Sequence, residues 1–233
     1  MWQKKTSKTS VPLEVISFRC CPAKTFQQTD GSTTLGRTVV EHCQIVGEVA
    51  RTLITRYSEN LRTSLFPPNA PLIAACHDLG KVSPCFYEKL RRASSGGTTS
   101  LKPLTNVNPE LERSWGGHAG VSQVAAKALS ASPYVAEILG QHHGFSPPIA
   151  GLRADDQSFG GPLWQQERTA LVTELKKRLS CDDWPEVDSV PQARLLAGLT
   201  SLADWIGSGS FFEDPALPWQ ERIDLAQQSW TGV

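Results

Sequence analysis

The chain has 233 residues and a mass of 25.4 kDa, the size of one large domain or two small ones. Hydrophobic residues make up 39%, which together with 18 glycines reaches the globular norm and excludes wholesale disorder. Lys plus Arg number 23 and Asp plus Glu number 23, so a strongly basic nucleic-acid coat is excluded, and any grip on phosphates has to be local or carried by metal.

At the N-terminus, lysines precede a stretch in which Pro12 and Glu14 interrupt any signal-peptide core. No apolar run approaches the roughly 18–20 residues of a membrane helix, and a cytoplasmic location is expected. Residues 12–18 are a weak strand candidate. Residues 41–57 place Ile45, Val46, Val49, Leu53 and Ile54 on one helical face. Residues 71–80 open with a proline and close on Gly80, the pattern of a short helix. A Ser/Thr/Gly/Pro-rich loop over about 93–110 is long enough to be mobile. Helices follow at 118–129 and 134–143, the second stopped by Gly144, Pro147 and Pro148. After a polar connection over about 150–162 come helices at 163–179 and 191–206. The latter has a core face expected through Leu195, Leu199, Leu202 and Ile206, and a last helix covers about 217–229. The predicted fold is all-α, one domain over 1–233 without internal repeats.

The five histidines are His42, His77, His118, His142 and His143. His77 is followed by Asp78, and Asp204 stands in an otherwise apolar helix. Any one of these has a bland reading: a satisfied core histidine, a helix cap, or a hydrogen-bonded buried acid. Together they form a donor set of imidazole nitrogen and carboxylate oxygen, which suits Mn, Fe, Co, Ni or Zn better than Mg or Ca. A carboxylate has two oxygens and can bridge an ion pair about 3.5–4 Å apart, the arrangement used for in-line phosphoryl displacement. Lys81 follows Asp78 at i+3 and His77 at i+4, so a helix running on through Gly80 would aim its ammonium at a phosphate oxygen.

The strings EHCQIVGEVA, CHDLGKVSPCF, HAGVSQVAA, ILGQHHGF and GLTSLADWIGS, spread over 41–212, resemble the HD superfamily of metal-dependent phosphohydrolases. They are most similar to the HD nuclease domain of the CRISPR-associated nuclease–helicase of type I systems. The resemblance implies a helical bundle with a metal site between helices, and two divalent transition-metal ions: Mn, Fe, Co or Ni before Mg or Zn. It assigns His42, His77, Asp78 and Asp204 to one ion and His118, His142 and His143 to the other, with Asp78 shared. Lys81 matches a lysine beside the scissile phosphate, and Ser208 a serine that often follows the ADW string. The implied reaction is cleavage of single-stranded DNA in CRISPR interference, with an RNA-guided surveillance complex and a superfamily-2-type helicase as partners. No helicase motif stands in this chain: around Gly80–Lys81, position 75 is Ala and position 82 Val, which rules out a phosphate-binding loop. The helicase is then either a separate chain or beyond Val233, and an end just after a predicted helix suits a trimmed domain.

Two alternatives stay open beside the nuclease. One is an HD phosphohydrolase for nucleotides or cyclic nucleotides, with the 93–110 loop shaping a base pocket. The other is a scaffold without activity, which has no need of the full donor set. The six cysteines form no CxxC pair, and Cys43 and Cys76 read as small buried hydrophobes. Trp115 and Trp164 are weighed as base-stacking platforms against packing, which is preferred, and Trp205 is expected in the core. The basic runs 89–92 and 176–178 read first as solvated helix faces and only second as phosphate contacts.

Overall fold

The computed structural model describes residues 14–94 and 101–223. Nearly all regular structure among them is helical. A β-hairpin comes first, β1 (Thr25–Gln27) pairing antiparallel with β2 (Thr33–Leu35), in register Phe26 opposite Thr34. Residues 12–18 are not its source: 14–17 are unpaired, and a 3₁₀ turn covers Phe18–Cys20, while 12 and 13 lie outside the described residues. The hairpin's signal is an Asp-Gly turn, Asp30–Gly31, between strands too short to show apolar alternation.

The hairpin delivers the chain to Thr38, which caps α1 (Val39–Thr55). Thr38 and Glu41 form a capping box, each side chain accepting from the other's backbone N–H. The buried stripe of α1 carries His42 with Val46 and Val49, and packs mainly on α3 (Ala70–Ala75) and α8 (Val190–Gly207). Between α1 and α3 lies a short helix absent from the sequence reading, α2 (Glu59–Leu65), which buries no residue and so leaves no periodic stripe. Of two further short helices, α4 (Pro84–Ala93) contains the 89–92 run read as a helix face, and α9 (Ser210–Glu213) escapes the sequence reading. The others are α5 (Gly117–Ala128), α6 (Pro133–Gln141) and α7 (Gly161–Arg178). Of the loop predicted over 93–110, residues 95–100 lie outside the described residues, and Leu104 is buried in the core. The last predicted helix starts at 220, and its part beyond 223 lies outside the described residues.

Two expectations need correction. Helix 71–80 ends at Ala75, because the His77 ring takes the Ala74 carbonyl (Nδ1–O 2.7 Å) and the chain tightens to i→i−3 bonds, Leu79 to Cys76 and Lys81 to Asp78. The core face of α8 is also rotated. Its buried residues are Leu196, Leu199, Thr200, Ala203 and Gly207, whereas Leu202 and Ile206 are exposed and Trp205 is 75% exposed. Small residues face α1: a Cβ on Gly207 would sit 2.9 Å from Val46 Cγ2. Close approach of the two helices therefore selects small side chains on the contact face and turns the large ones outward. Leu202 and Ile206 line an apolar groove of about 870 Å³ with Val49, Leu53 and Phe211. Trp115 and Trp164 are buried, so neither is a stacking platform. No helix among the described residues is long and apolar enough to cross a membrane.

Candidate metal centre

Five elements bring the chemistry-bearing residues to one point. His42 comes from the first turns of α1, and His77 and Asp78 from the tight turn after α3. His118 comes from the start of α5, His142 and His143 from the end of α6, and Asp204 and Ser208 from the end of α8. The seven residues that the resemblance assigns as metal ligands, together with Lys81 and Ser208, are all brought to this cluster. Asp78 is at its middle, fully buried, with its two oxygens facing opposite ways. Oδ2 lies 3.1 Å from His42 Nε2 and 3.0 Å from His77 Nε2, and those two nitrogens are 3.5 and 3.3 Å from Asp204 Oδ1. Oδ1 lies 3.1 Å from His118 Nε2 and 3.7 Å from His142 Nε2, and His143 Nε2 is 3.0 Å from His118 Nε2.

Three groups of donors have their ligand atoms within 4.8 Å of one another: His42, His77 and Asp204; His118, His142 and His143; and, joining these two, His77, Asp78 and His142. The fit to cations is tested by what the buried atoms lack. His42 Nε2, His77 Nε2, His142 Nε2 and both Asp78 oxygens make no hydrogen bond of acceptable geometry. An unsatisfied buried polar atom costs about 1–3 kcal/mol, and apart from the Lys81 ion pair to Asp78 Oδ2 these converging atoms are what a shared cation would satisfy. The ring nitrogens are set for that partner. His77 Nδ1 and His142 Nδ1 each lie 2.7 Å from a backbone carbonyl, of Ala74 and Leu139. A carbonyl only accepts, so Nδ1 carries the hydrogen and Nε2 presents its lone pair inward. His/Asp donors at these spacings fit divalent cations.

The electrostatics keep both carboxylates ionised and His142 neutral, but they favour a proton on His77. Burial pushes the Asp78 carboxyl up, but His77, Lys81 and His118 outweigh it and hold the group well below the usual carboxylate range. Burial likewise opposes charge on His77, yet Asp78 and Asp204 carry its pKa up to about 10, so a cation bound at Nε2 would have to displace a proton from that ring. Burial and the neighbouring His77 pull His142 down to about 3, which leaves it a neutral donor at pH 7. Burial raises Asp204 too, but the rings of His42 and His77 lower it decisively.

Around the donors, Lys81 Nζ is 2.6 Å from Asp78 Oδ2, reached through a 3₁₀ turn rather than a continued helix. Ser208 Oγ donates to Asp204 Oδ1 at 2.9 Å. Gly80 lets the 79–81 turn lie directly on α5: its N–H donates to Ser122 Oγ at 2.8 Å, and a Cβ there would be 1.9 Å from the His118 carbonyl oxygen. Two neighbours were not foreseen. Lys24, before β1, donates to the Ser208 carbonyl at 2.9 Å, and buried Glu112 has Oε1 3.8 Å from His118 Nδ1. Each meets the cluster only through tertiary contact, so local sequence carries no signal for it. Cys43 and Cys76 are buried thiols whose pKa burial pushes up. The basic runs are largely engaged in ion pairs, Lys89 with Glu112, Arg91 and Arg92 with Glu88, Lys176 with Asp183 and Arg178 with Glu174.

A family model described as "Cas3, HD domain" matches residues 23–212, well over half of the chain and every residue of the cluster. The chain belongs to the Cas3 HD-domain family. Solved Cas3 structures share the fold. T. fusca Cas3 with AMPPNP is 21% identical at a TM-score of 0.60, over 94% of this chain and 27% of that one. The Thermus thermophilus Cas3 HD domain, crystallised in the presence of Ni²⁺, is 21% identical at a TM-score of 0.55, over 84% of this chain and 85% of that one. A chain of a CRISPR RNA-guided surveillance complex before nicking is 22% identical at a TM-score of 0.57, over 96% of this chain and 26% of that one. This Cas3 HD chain thus spans about a quarter of the length of T. fusca Cas3. No curated protein matches it.

Proposed function

We propose that this Cas3 HD domain hydrolyses phosphodiester bonds of single-stranded DNA at two divalent cations, in type I CRISPR interference. The observation that carries the reading is Asp78, whose two oxygens each face a different triad of donors. His42, His77 and Asp204 would hold one ion, His118, His142 and His143 the other, and Asp78 both. The nitrogen-rich set favours transition metals, Mn, Fe, Co or Ni, and a relative crystallised with Ni²⁺ is in keeping with that choice. Ions so held supply a lowered pKa for bound water and charge stabilisation for an in-line displacement.

The chain's own residues do the remainder. Asp78, kept ionised, supplies negative charge to both positions at once. The Ala74 and Leu139 carbonyls hold the His77 and His142 rings in the tautomer with Nε2 inward. Ser208 fixes Asp204 Oδ1, which keeps that carboxylate from rotating away from His42 and His77. Lys81, partly exposed beside Asp78, is placed to neutralise charge on a phosphate oxygen. A net charge of zero gives little general attraction for DNA, so the strand has to be delivered. A helicase, fused or separate, and an RNA-guided surveillance complex are the partners that fit, given the longer relative and the complex that share this fold. Residues 1–233 form a single functional unit on this reading.

The test is degradation of circular single-stranded DNA with Mn²⁺, beside Asp78→Ala and a panel of free nucleotides. Cutting of the circle by the parent and not by Asp78→Ala is expected. Phosphate release from free nucleotides with an intact circle would replace the reading by a nucleotide hydrolase.

A further inference from the structure

His77 and His142 both stand just past the C-terminal end of a helix, where the carbonyls three residues back no longer accept from the N–H four residues on, Ala74 keeping a long 3.4 Å bond from His77 N. That is why Ala74 and Leu139 are free to take their Nδ1 hydrogens. His118 has no such option. It stands in the first turn of α5, and Gly116 at φ 77° and Gly117 at φ 73° separate it from the 3₁₀ segment before it, so no turn of its own helix lies behind it. The Trp115 carbonyl three residues back turns to Gly120, where a Cβ would approach it to 1.9 Å. The nitrogen of His118 that points away from Asp78 faces a carboxylate instead.

That carboxylate is Glu112, in the 3₁₀ segment Pro109–Trp115. It is 4% exposed, its Oε1 has no hydrogen-bond partner, and it lies 3.8 Å from His118 Nδ1. Its Oε2 accepts from Lys89 at 3.0 Å, which holds the group in place. Burial raises its pKa, but His118 and Lys89 outweigh this and leave the acid below its ordinary range. On the other side, the Phe86 ring meets the His118 ring edge-on at 5.2 Å, so the imidazole is clamped between an aromatic edge and an anion.

We propose that Glu112 is a positioning residue for His118, acting through Nδ1 to set the ring's tautomer and raise the basicity of Nε2 toward the second cation. The inference rests on the two-ion reading of the cluster. Carboxylates behind ligating histidines work in this way, and their loss weakens metal binding by about 10- to 100-fold.

Titration of the metal-free chain with Co²⁺, followed by visible absorption, tests it without any turnover. His118→Ala identifies the binding step that depends on His118. Glu112→Ala is expected to weaken that step by about 10- to 100-fold and leave the other within twofold. Glu112→Gln, which keeps the shape and an acceptor oxygen, is expected to fall between parent and alanine, and serves alone if Glu112→Ala does not fold. Both steps unchanged within twofold in the Glu112 variants would overturn the proposal. So would an equal weakening of both steps with a lowered melting temperature, which marks a merely structural role. If His118→Ala removes no step, the two-ion reading itself fails, and this inference fails with it.

Discussion

Gly80→Ala tests how the two halves of the cluster are held together. Gly80 is not required for its backbone angles; it is required because the 79–81 turn lies on α5. The added Cβ would be 1.9 Å from the His118 carbonyl oxygen and 2.8 Å from Ser122 N, against an ordinary contact of 3.4 Å or more. Both atoms belong to the backbone, so neither can swing aside, and the turn has to retreat by about 1.5 Å. Overpacking of this kind costs about 1–3 kcal/mol, and loss of the buried Gly80 N–H to Ser122 bond adds about 1 kcal/mol. The expected total is about 3 kcal/mol, a fall in Tm of about 6–12 °C for a chain of this size. The retreat also carries Asp78 away from His118, and misplacement by about 1 Å costs about 100-fold in rate. Gly198→Ala is the control: it lies inside α8 with nothing within 4 Å of the new methyl, so helix propensity alone should stabilise it by about 1 kcal/mol. Calorimetry of both variants, with cleavage of circular single-stranded DNA, decides. A Gly80→Ala protein that melts with the parent and cuts at its full rate would refute the close-approach argument.

Lys81→Ala is expected to lower kcat by about 100- to 1,000-fold while metal content stays that of the parent, as read by elemental analysis beside cleavage kinetics; loss of metal would move Lys81 from substrate to scaffold. Glu88 accepts from Arg91, Arg92 and the Leu104 N–H; the Arg91 bond leads, burial opposes it, and the pKa falls from 4.5 to about 2. A depressed acid stabilises above its unfolded pKa, so about 2–3 kcal/mol should be present at pH 7 and lost as pH falls from about 4.5 through 2. Urea unfolding at stepped pH should show that acid slope in the parent and a flatter one in Glu88→Gln. Arg168 is fully buried and donates to the carbonyls of Val82, Ala154 and Phe159. Arg168→Met strands all three, and equilibrium denaturation should show a loss of about 3 kcal/mol or more, with under 1 kcal/mol refuting the assignment.

What the sequence shows and what it hides divide along one physical line. Features set by local periodicity or by adjacent residues are readable. The 17 residues of α1 carry a full apolar stripe, and His77–Asp78 and His142–His143 stand out as adjacent pairs. Features set by what packs against a residue are not. Trp164 and Trp205 differ little in local pattern, yet one is fully buried and the other 75% exposed. The difference is that Gly207 and Ala203 draw α8 against α1 and turn its larger side chains outward. The same limit governs the site. Imidazoles and carboxylates are rare enough for the donors to stand out, but Glu112 looks like any surface acid until the fold seats it behind His118. A donor residue is therefore recognisable from its chemistry, whereas the residue that aims a donor is recognisable only from the turn the chain lacks at that point. His77 and His142 have a helix end behind them and need no carboxylate; His118 begins a helix, and a carboxylate is what the structure puts there.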